Sequence, residues 1–439
     1  MTNTVAPLVG KQAESVRLAT ARGNLWEGAV RSSKTVCSIL AWLRFVREGP
    51  PGPLLMAGKT ERTLKRNIID PITEMVGSRR CKYKAGAGEV ELFGRTVYLA
   101  GANDERAAEK IKGLTLAGAY GDEITTWPKS FFAMLLTRLS IEGAQWFGTT
   151  NPAAKNHWLM ADYLSRARLH LTRDGQVLTT ADPDALDLNR YSFKLEDNPT
   201  LPASYVAQVK AENVGLFYRR NVLGEWVIAE GAVYDMWDED RHLVTDLPPI
   251  DRWISVGVDY GTVNPFAALA IGIGGPIGDR RLYVAAEYRH DSRTARRQLT
   301  DAEYSQRLRA WLADVPRPGE QGRARGITPE RVYVDPSAAS FMTQLWRDQV
   351  PGIAPADNSV LDGIRTVSSL LGGGRLLIHR SCTGLLAELP GYSWDDRAAE
   401  RGEDKPLKVD DHSCDALRYG IHSAAWLWRP LLPALALAA

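Results

Sequence analysis

Apolar residues along this chain fall into two kinds of stretch, short runs with a period of two or none, and longer stripes with a period near 3.6. Asn24-Leu-Trp26 predicts a short strand, and Val36, Ile39, Leu40 and Leu43 place an amphipathic helix over Thr35 to Val46. Pro53-Leu-Leu-Met-Ala57 predicts a buried strand, followed by a helix through Leu64 and Ile69. Val90 and Leu92, then Thr96-Val-Tyr-Leu99, alternate as a hairpin pair with Gly94 at the turn. Leu116 to Tyr120 and Ala144 to Phe147 predict two further strands. Residues 232–250 carry neither period, and their Leu247-Pro-Pro-Ile250 run stiffens toward polyproline geometry, which marks a joint.

Beyond the joint, strands are predicted at Trp253 to Asp259, Phe266 to Ile273 and Arg281 to Glu287, then a helix over Glu303 to Leu312. A strand at Arg331 to Asp335, a helix over Ser340 to Gln349 and a strand at Arg375 to Ile378 follow. A last helix runs from about Asp411 through Cys414, Leu417, Ile421 and Ala424. The fold class is α/β in both halves. The first half reads as a parallel sheet flanked by helices, and the second follows the β-β-β-α-β-α-β-α order of RNase H-like nucleases and integrases, a mixed sheet. That order sets the ends of the first and fourth strands side by side near the last helix.

With 439 residues, two domains are expected. A 44% hydrophobic and 24% charged composition is that of a globular protein, with no apolar run long enough for a bilayer and no expected signal peptide. Cys37, Cys81, Cys382 and Cys414 lie far apart without a C-x-x-C, which argues for a reducing compartment and against structural zinc. The net charge of +2 hides an asymmetry: residues 1–120 hold 19 Lys and Arg against 11 Asp and Glu, so the remainder is acidic by 6. A basic first half suits nucleotide or nucleic acid, and clustered carboxylates in the second suit metal.

Gly28-Ala-Val-Arg-Ser-Ser-Lys-Thr35 nearly matches the phosphate-binding loop G-x-x-x-x-G-K-[ST], with Ser33 where the second glycine is expected. Its setting, between a strand and a helix, is the one that brings phosphates to a helix N-terminus. At a left-handed position Ser is disfavoured against Gly by about 1 kcal/mol. A strand ending in Gly121-Asp122-Glu123 offers one carboxylate for Mg²⁺ and one to polarise water. Gly148-Thr-Thr-Asn-Pro152, at the end of the next strand, has the small and amide side chains that sense a γ-phosphate. In the second half Asp259 and Asp335 end the first and fourth strands, and Asp415 lies on the last helix. Three such carboxylates repel unless divalent cations lie among them, and hard oxygen ligands favour Mg²⁺ or Mn²⁺. Two ions can activate a water and stabilise the leaving oxygen of a phosphodiester.

GAVRSSKT, GDE and GTTNP, in this order and spacing, resemble the P-loop ATPase motor of the large terminase subunits of tailed bacteriophages. Ser359-Val-Leu-Asp-Gly-Ile364, Leu389-Pro-Gly-Tyr-Ser-Trp-Asp395 and Lys405 to Tyr419 resemble that family's nuclease signatures, and the resemblance covers about residues 20 to 428. It implies an ATPase core over 1–195, a lid over 196–231, a linker over 232–250, an RNase H-like nuclease over 251–428 and a short tail over 429–439. It also implies that Gly28, Arg31, Ser32, Ser33, Lys34, Thr35 and Asp122 bind ATP, with Mg²⁺ at Thr35 and Asp122. Glu123 would activate water, Thr149, Thr150 and Asn151 would couple the nucleotide state onward, and Arg31 would reach the γ-phosphate. Arg106, Lys112 and Arg138 are the candidates for a residue acting on a neighbouring subunit's ATP.

In the second half the resemblance makes Asp259, Asp335 and Asp415 ligands of two Mg²⁺ or Mn²⁺ ions, with Asp411 as an accessory ligand. His412 receives no catalytic role. Tyr392 to Asp396 and Lys405 to Val409 would form a hairpin guarding the cleft, and Lys405, Lys408 and Arg418 would steer DNA phosphates. The implied function is a motor that drives double-stranded DNA into a procapsid and cuts concatemers. Its implied partners are a portal protein, a small terminase subunit and further copies in a ring when packaging, against a monomer in solution. The chain would act in the host-cell cytoplasm and be absent from the mature virion. Two other classes stay open: a helicase-nuclease of repair or recombination, and a DNA-binding assembly subunit with a degenerate ATP site.

Overall fold

The computed structural model describes residues 7–262, 264–318 and 324–432. The chain forms two units, one of residues up to Val206 with Tyr218–Ile228 and Glu400–Glu403, the other of Ala207–Phe217, Ala229–Ala399 and residues from Asp404 on.

In the first unit the unbroken apolar runs become central strands because both faces of a parallel sheet are covered. The sheet runs Cys81–Lys84, Glu89–Leu92, Arg95–Gly101, Leu54–Gly58, Gly118–Gly121, Gln145–Thr150, Gly23–Gly28, Leu186–Phe193, Ala167–Leu171, Val177–Thr179. From Arg95–Gly101 to Ala167–Leu171 all neighbours are parallel, and antiparallel strands close both edges. Alternate residues serve opposite faces: Trp26, Leu54 and Met56 join Trp42 and Phe147 in one core, while Leu25, Leu55 and Ala57 join Phe131 and Trp146 in the other. The expected hairpin forms at Phe93 and Gly94, both with positive φ. Leu186–Phe193, unanticipated from the sequence, pairs in parallel with Gly23–Gly28 and props the phosphate-binding loop.

The second unit has the RNase H-like arrangement. Its sheet runs Leu243–Val244, Leu376–His379, Arg281–His290, Phe266–Gly274, Ile250–Asp259, Arg331–Val334, Ile353–Pro355. Three strands form an antiparallel meander, and Arg331–Val334 lies parallel to Ile250–Asp259, with Val258 opposite Val334. The sequence leaves the order of the outer strands open. The strand beyond Arg331–Val334 is the short Ile353–Pro355, and Leu376–His379 joins the opposite edge beside Arg281–His290. Helices Val360–Gly372 and His412–Ser423 cover one face, Asp301–Asp314 and Ala339–Arg347 the other. Residues of the expected linker pack into this unit: Val233 and Tyr234 belong to its core, and buried His242 meets the Leu371 carbonyl through Nε2 at 2.9 Å. From residue 433 on, the expected tail lies outside the described residues.

Candidate functional site

The phosphate-binding loop leaves its strand at Gly28, where φ is 131° and an added Cβ would lie 1.9 Å from the Phe193 carbonyl oxygen. The amides of Ala29 and Val30 donate to Phe193 O at 2.8 Å and Asn221 O at 3.0 Å, which fixes where the loop begins. Ser33 is left-handed, with φ 72° and ψ 5°, and immediately precedes helix Lys34–Glu48. Its hydroxyl accepts from Gln12 Nε2 at 3.0 Å, and the same amide nitrogen reaches Asp197 O at 2.9 Å. The unexpected serine thus has a brace that glycine lacks, from buried Gln12 on helix Gly10–Arg17. Beside the loop opens a cavity of about 550 Å³ lined by Gln12, Arg31, Ser33, Glu74, Asn198 and Thr200 among others. Asn198 Nδ2 donates to Arg31 O at 2.7 Å across it.

Lys34 is buried and its ammonium donates to Gly28 O at 3.0 Å, Ala29 O at 2.5 Å and Asn151 Oδ1 at 3.1 Å. Burial pushes it down to about 8, against the opposing pull of Glu27, Glu123 and Asp122. Asp122, also buried, accepts from Thr149 Oγ1 at 3.0 Å and Asn67 Nδ2 at 3.2 Å. Burial raises the Asp122 carboxyl, and burial with Asp122 beside it raises that of Glu123. Glu123 has a φ of 52°, a left-handed conformation that costs a non-glycine residue on the order of 1–3 kcal/mol. Thr149 Oγ1 also receives the Glu123 amide at 3.4 Å, and Thr150 Oγ1 the Thr125 amide at 3.0 Å. The Thr149–Asn151 strand end therefore touches the Asp122 carboxylate, the Glu123 amide and Lys34.

Two residues of this site escaped the sequence reading. Asn67 lies in a π-helical turn, Lys65–Ile69, which widens the helix by one residue and aims the amide at Asp122. Glu27, fully buried, meets Arg190 at 2.8 Å and accepts from Trp226 Nε1 at 3.0 Å. Of the candidates for acting on a neighbour, Arg138 bonds the Lys112 carbonyl and Lys112 pairs with Glu109 at 3.2 Å, whereas Arg106 is exposed.

In the second unit Ser255, Gly257 and Asp259 share one face of their strand, and helix His412–Ser423 lies against it. Gly257 permits the contact, since a Cβ there would stand 2.0 Å from Ala416 O and 2.5 Å from Gly420 N. This close approach brings Asp415 toward Asp259, while Asp335 follows the strand end paired with Val258 and donates its amide to Val258 O at 3.1 Å. Burial raises the Asp259 carboxyl, His412 lowers it, and the like charges of Asp415 and Asp335 raise it further.

Each carboxylate is held by protein groups. His412 Nδ1 lies 2.9 Å from Asp259 Oδ2, and that bond, working against burial, raises the imidazole. Lys408 Nζ reaches Asp415 Oδ2 at 2.6 Å and Asp411 Oδ2 at 2.9 Å, so burial is overcome and the ammonium lies above its ordinary range. Arg418 Nη2 donates to Asp415 Oδ1 at 3.0 Å, and Asp335 Oδ1 accepts from the Ser337 amide at 2.9 Å. As they stand, no three His, Cys, Asp or Glu side chains among the described residues converge as an ion's ligands. Asp259, Asp411 and Asp415 are thus each matched by a His, a Lys or an Arg, and Asp335 by a backbone amide.

These contacts correct one expectation. Arg418 is 1% exposed and bound to Asp415, so it supports the site and does not face DNA. His412, given no catalytic role, touches Asp259, a contact for which its position beside Asp411 and on the Asp415 helix was the available signal. The expected hairpin does form: Trp394 bridges Pro406, and the Asp395 and Leu407 amides donate to Lys405 O and Ser393 O at 2.9 Å each. Behind the site, Glu388 Oε2 accepts from the Ser413 and Cys414 amides at 2.6 and 3.1 Å and caps the Asp415 helix from outside, while Arg289 holds its other oxygen at 2.5 Å.

Comparison with known proteins gives the chain a family. The family model for the N-terminal part of the T4likevirus-type terminase large subunit matches residues 29–240. The large subunit of terminase from Escherichia phage T5 is 27% identical over 238 residues, 52% of this chain and 50% of that protein, so the chain spans about half the length of this curated relative. The large terminase of a thermophilic bacteriophage is 32% identical with a TM-score of 0.79, covering 98% of this chain and 100% of that one. The complex of that same phage's enzyme with ADP gives 33% identity and a TM-score of 0.76 over 93% and 97% of the two chains. Matched over nearly its whole length, the chain belongs to the large terminases of bacteriophages.

Proposed function

We propose that this chain is the ATP-hydrolysing, DNA-cutting subunit of a viral packaging motor. The observation that carries this reading is the presence in one chain of two strand-end carboxylate sites, one beside a buried loop lysine and the other among Asp259, Asp335 and Asp415. In the first, Lys34 and the loop backbone bind phosphates, Thr35 and Asp122 would hold Mg²⁺, and Glu123 takes a proton from the attacking water. Thr149 and Asn151 link the Asp122 carboxylate to Lys34, so loss of the γ-phosphate changes the hydrogen bonds of a strand end. In the second, Asp259, Asp335 and Asp415, with Asp411 beside them, would hold divalent cations that activate water and stabilise the leaving oxygen. His412 orients Asp259, and Arg418 orients Asp415.

On this reading hydrolysis drives duplex DNA into a procapsid through a portal, and the nuclease cuts concatemers. A small terminase subunit and a ring of copies would take part, in the host cytoplasm during assembly. Two variants test the division of labour. Glu123→Ala is expected to abolish ATP turnover and keep Mn²⁺-dependent cleavage of plasmid, and Asp259→Ala to do the reverse. Loss of both activities in either variant, or ATP turnover that survives Glu123→Ala, would refute it.

A further inference from the structure

Carboxylates that cut a phosphodiester also repel it, so a nuclease site needs cations close by to hold the duplex. Arg418 is buried and Lys408 is paired to Asp415 and Asp411, so in this structure neither is turned to DNA. We propose that the turn Asp291–Arg297 is a DNA-backbone arm, in which Arg293 and Arg296 grip phosphates of the strand being cut. This rests on the nuclease reading above.

The sheet register puts the arm at the cutting end. Asp259 pairs with Ala267 and Ala267 with Arg289, so Asp259 and Arg289 stand in one row, about 10 Å apart at two strand spacings. The strand ends at His290, and the chain turns out at the same end of the sheet as Asp259 and Asp335. The turn is docked against the segment that follows Asp259: Ser292 Oγ donates to Thr262 O at 2.8 Å, and Arg293 Nη2 lies 3.4 Å from Asn264 Oδ1.

It is also built to hold its shape. Asp291 accepts from the Arg293 amide at 2.9 Å and from Thr294 Oγ1 at 2.6 Å, the Ala295 and Arg297 amides donate to Asp291 O and Ser292 O, and His290 Nε2 meets Arg297 O at 3.1 Å. These bonds hold Arg296 at a φ of 49°, a left-handed conformation that few non-glycine residues adopt. The acidic neighbours are otherwise engaged. Glu303 pairs with Arg297, Asp301 takes the Tyr260 hydroxyl, and Asp291 caps the turn itself. Arg293 and Arg296 are exposed and make no ion pair among the described residues. Two unneutralised guanidiniums on a rigid turn beside the acidic cluster fit the spaced phosphates of a duplex.

The test is equilibrium binding of a duplex of about 20 base pairs to the full chain in EDTA, by fluorescence anisotropy, across a salt series. Each phosphate contact contributes ~0.9 to the slope of log K against log salt, so Arg293→Gln/Arg296→Gln is expected to reduce that slope by about 1.8 and weaken binding on the order of tenfold. Arg293→Lys/Arg296→Lys, which keeps the charge, is expected to restore the slope. Arg252→Gln, near the opposite end of the strands and paired with Glu330, is expected to leave it unchanged. An unchanged slope in the double Gln variant, or a loss that the Lys pair does not restore, would overturn the arm. Either result would leave the nuclease reading intact if Asp259→Ala still abolishes Mn²⁺-dependent cleavage; cleavage surviving that change would instead refute the site itself.

Discussion

Lys34 makes nucleotide binding sensitive to alkaline pH in a way that can be worked out in advance. In the free protein burial holds its ammonium down to about 8, although Glu27, Glu123 and Asp122 favour the charge and three oxygens accept its protons. Phosphate oxygens need the charged form, so binding must supply a proton to any chain that has lost it. The fraction already charged falls from about 90% at pH 7 to about 10% at pH 9, and the dissociation constant should rise about tenfold between those values. The sign for stability is opposite. A lysine whose folded pKa is depressed binds fewer protons folded than unfolded between about 8 and its ordinary value, so stability of the free protein rises with pH across that window. Calorimetric titration with ADP in buffers of different ionisation enthalpy measures both the affinity and the proton taken up. Lys34→Arg, which stays charged throughout, is expected to flatten the profile. A dissociation constant that does not change from pH 7 to 9 in the wild-type chain, without proton uptake, would mean that Lys34 is already charged throughout that range.

Other substitutions address single contacts. Ser33→Gly removes a left-handed cost of about 1 kcal/mol and also the Gln12 bond, of similar size, so ADP affinity should stay within about threefold; a clear loss would mean that the brace dominates. Asn67→Leu leaves the Asp122 carboxylate with one fewer donor, and ATP turnover should fall with its pH profile shifted upward; an unmoved profile would make Asn67 merely structural. Glu388→Ala strips the cap from the Ser413 and Cys414 amides and leaves Arg289 with a lost partner, a cost of about 3–5 kcal/mol expected as lost hydrogen-exchange protection over His412–Ser423. Protection that is unaltered would refute the capping role. Gly257→Ala forces strand and helix apart at Ala416 O and should lower both thermal stability and cleavage, whereas a wild-type melting temperature would contradict that packing.

Elements with a strong local signal were legible in the sequence. The buried run at Leu54–Gly58, the hairpin around Gly94 and the strand that delivers Asp259 follow from hydrophobic order alone. Leu186–Phe193 was not legible, because a central strand carrying Asn189, Arg190 and Ser192 looks polar until Leu18, Glu27 and His170 engage those groups. The edge taken by Leu376–His379 depends on pairing with Arg281–His290, which no local period encodes. The carboxylates could be named from strand ends and helix spacing. Their counter-charges could not, since a lysine, an arginine and a histidine near an aspartate have the same sequence signature whether they face solvent or neutralise a buried acid. That is why Arg418 was assigned to DNA and the contact of His412 with Asp259 was not anticipated. Asn67 was hidden for a different reason: a π-turn shifts the helical register by one residue, and nothing in Lys65–Ile69 announces it.

The central claim, that the second unit holds a metal-dependent cutting site made by three distant aspartates, is tested most directly by anomalous diffraction from crystals of this protein soaked in Mn²⁺. Bound metal is expected in contact with Asp259, Asp335 and Asp415, with the Lys408 ammonium displaced from Asp415. Manganese bound elsewhere in the second unit, or none at these carboxylates at saturating concentration, would contradict it.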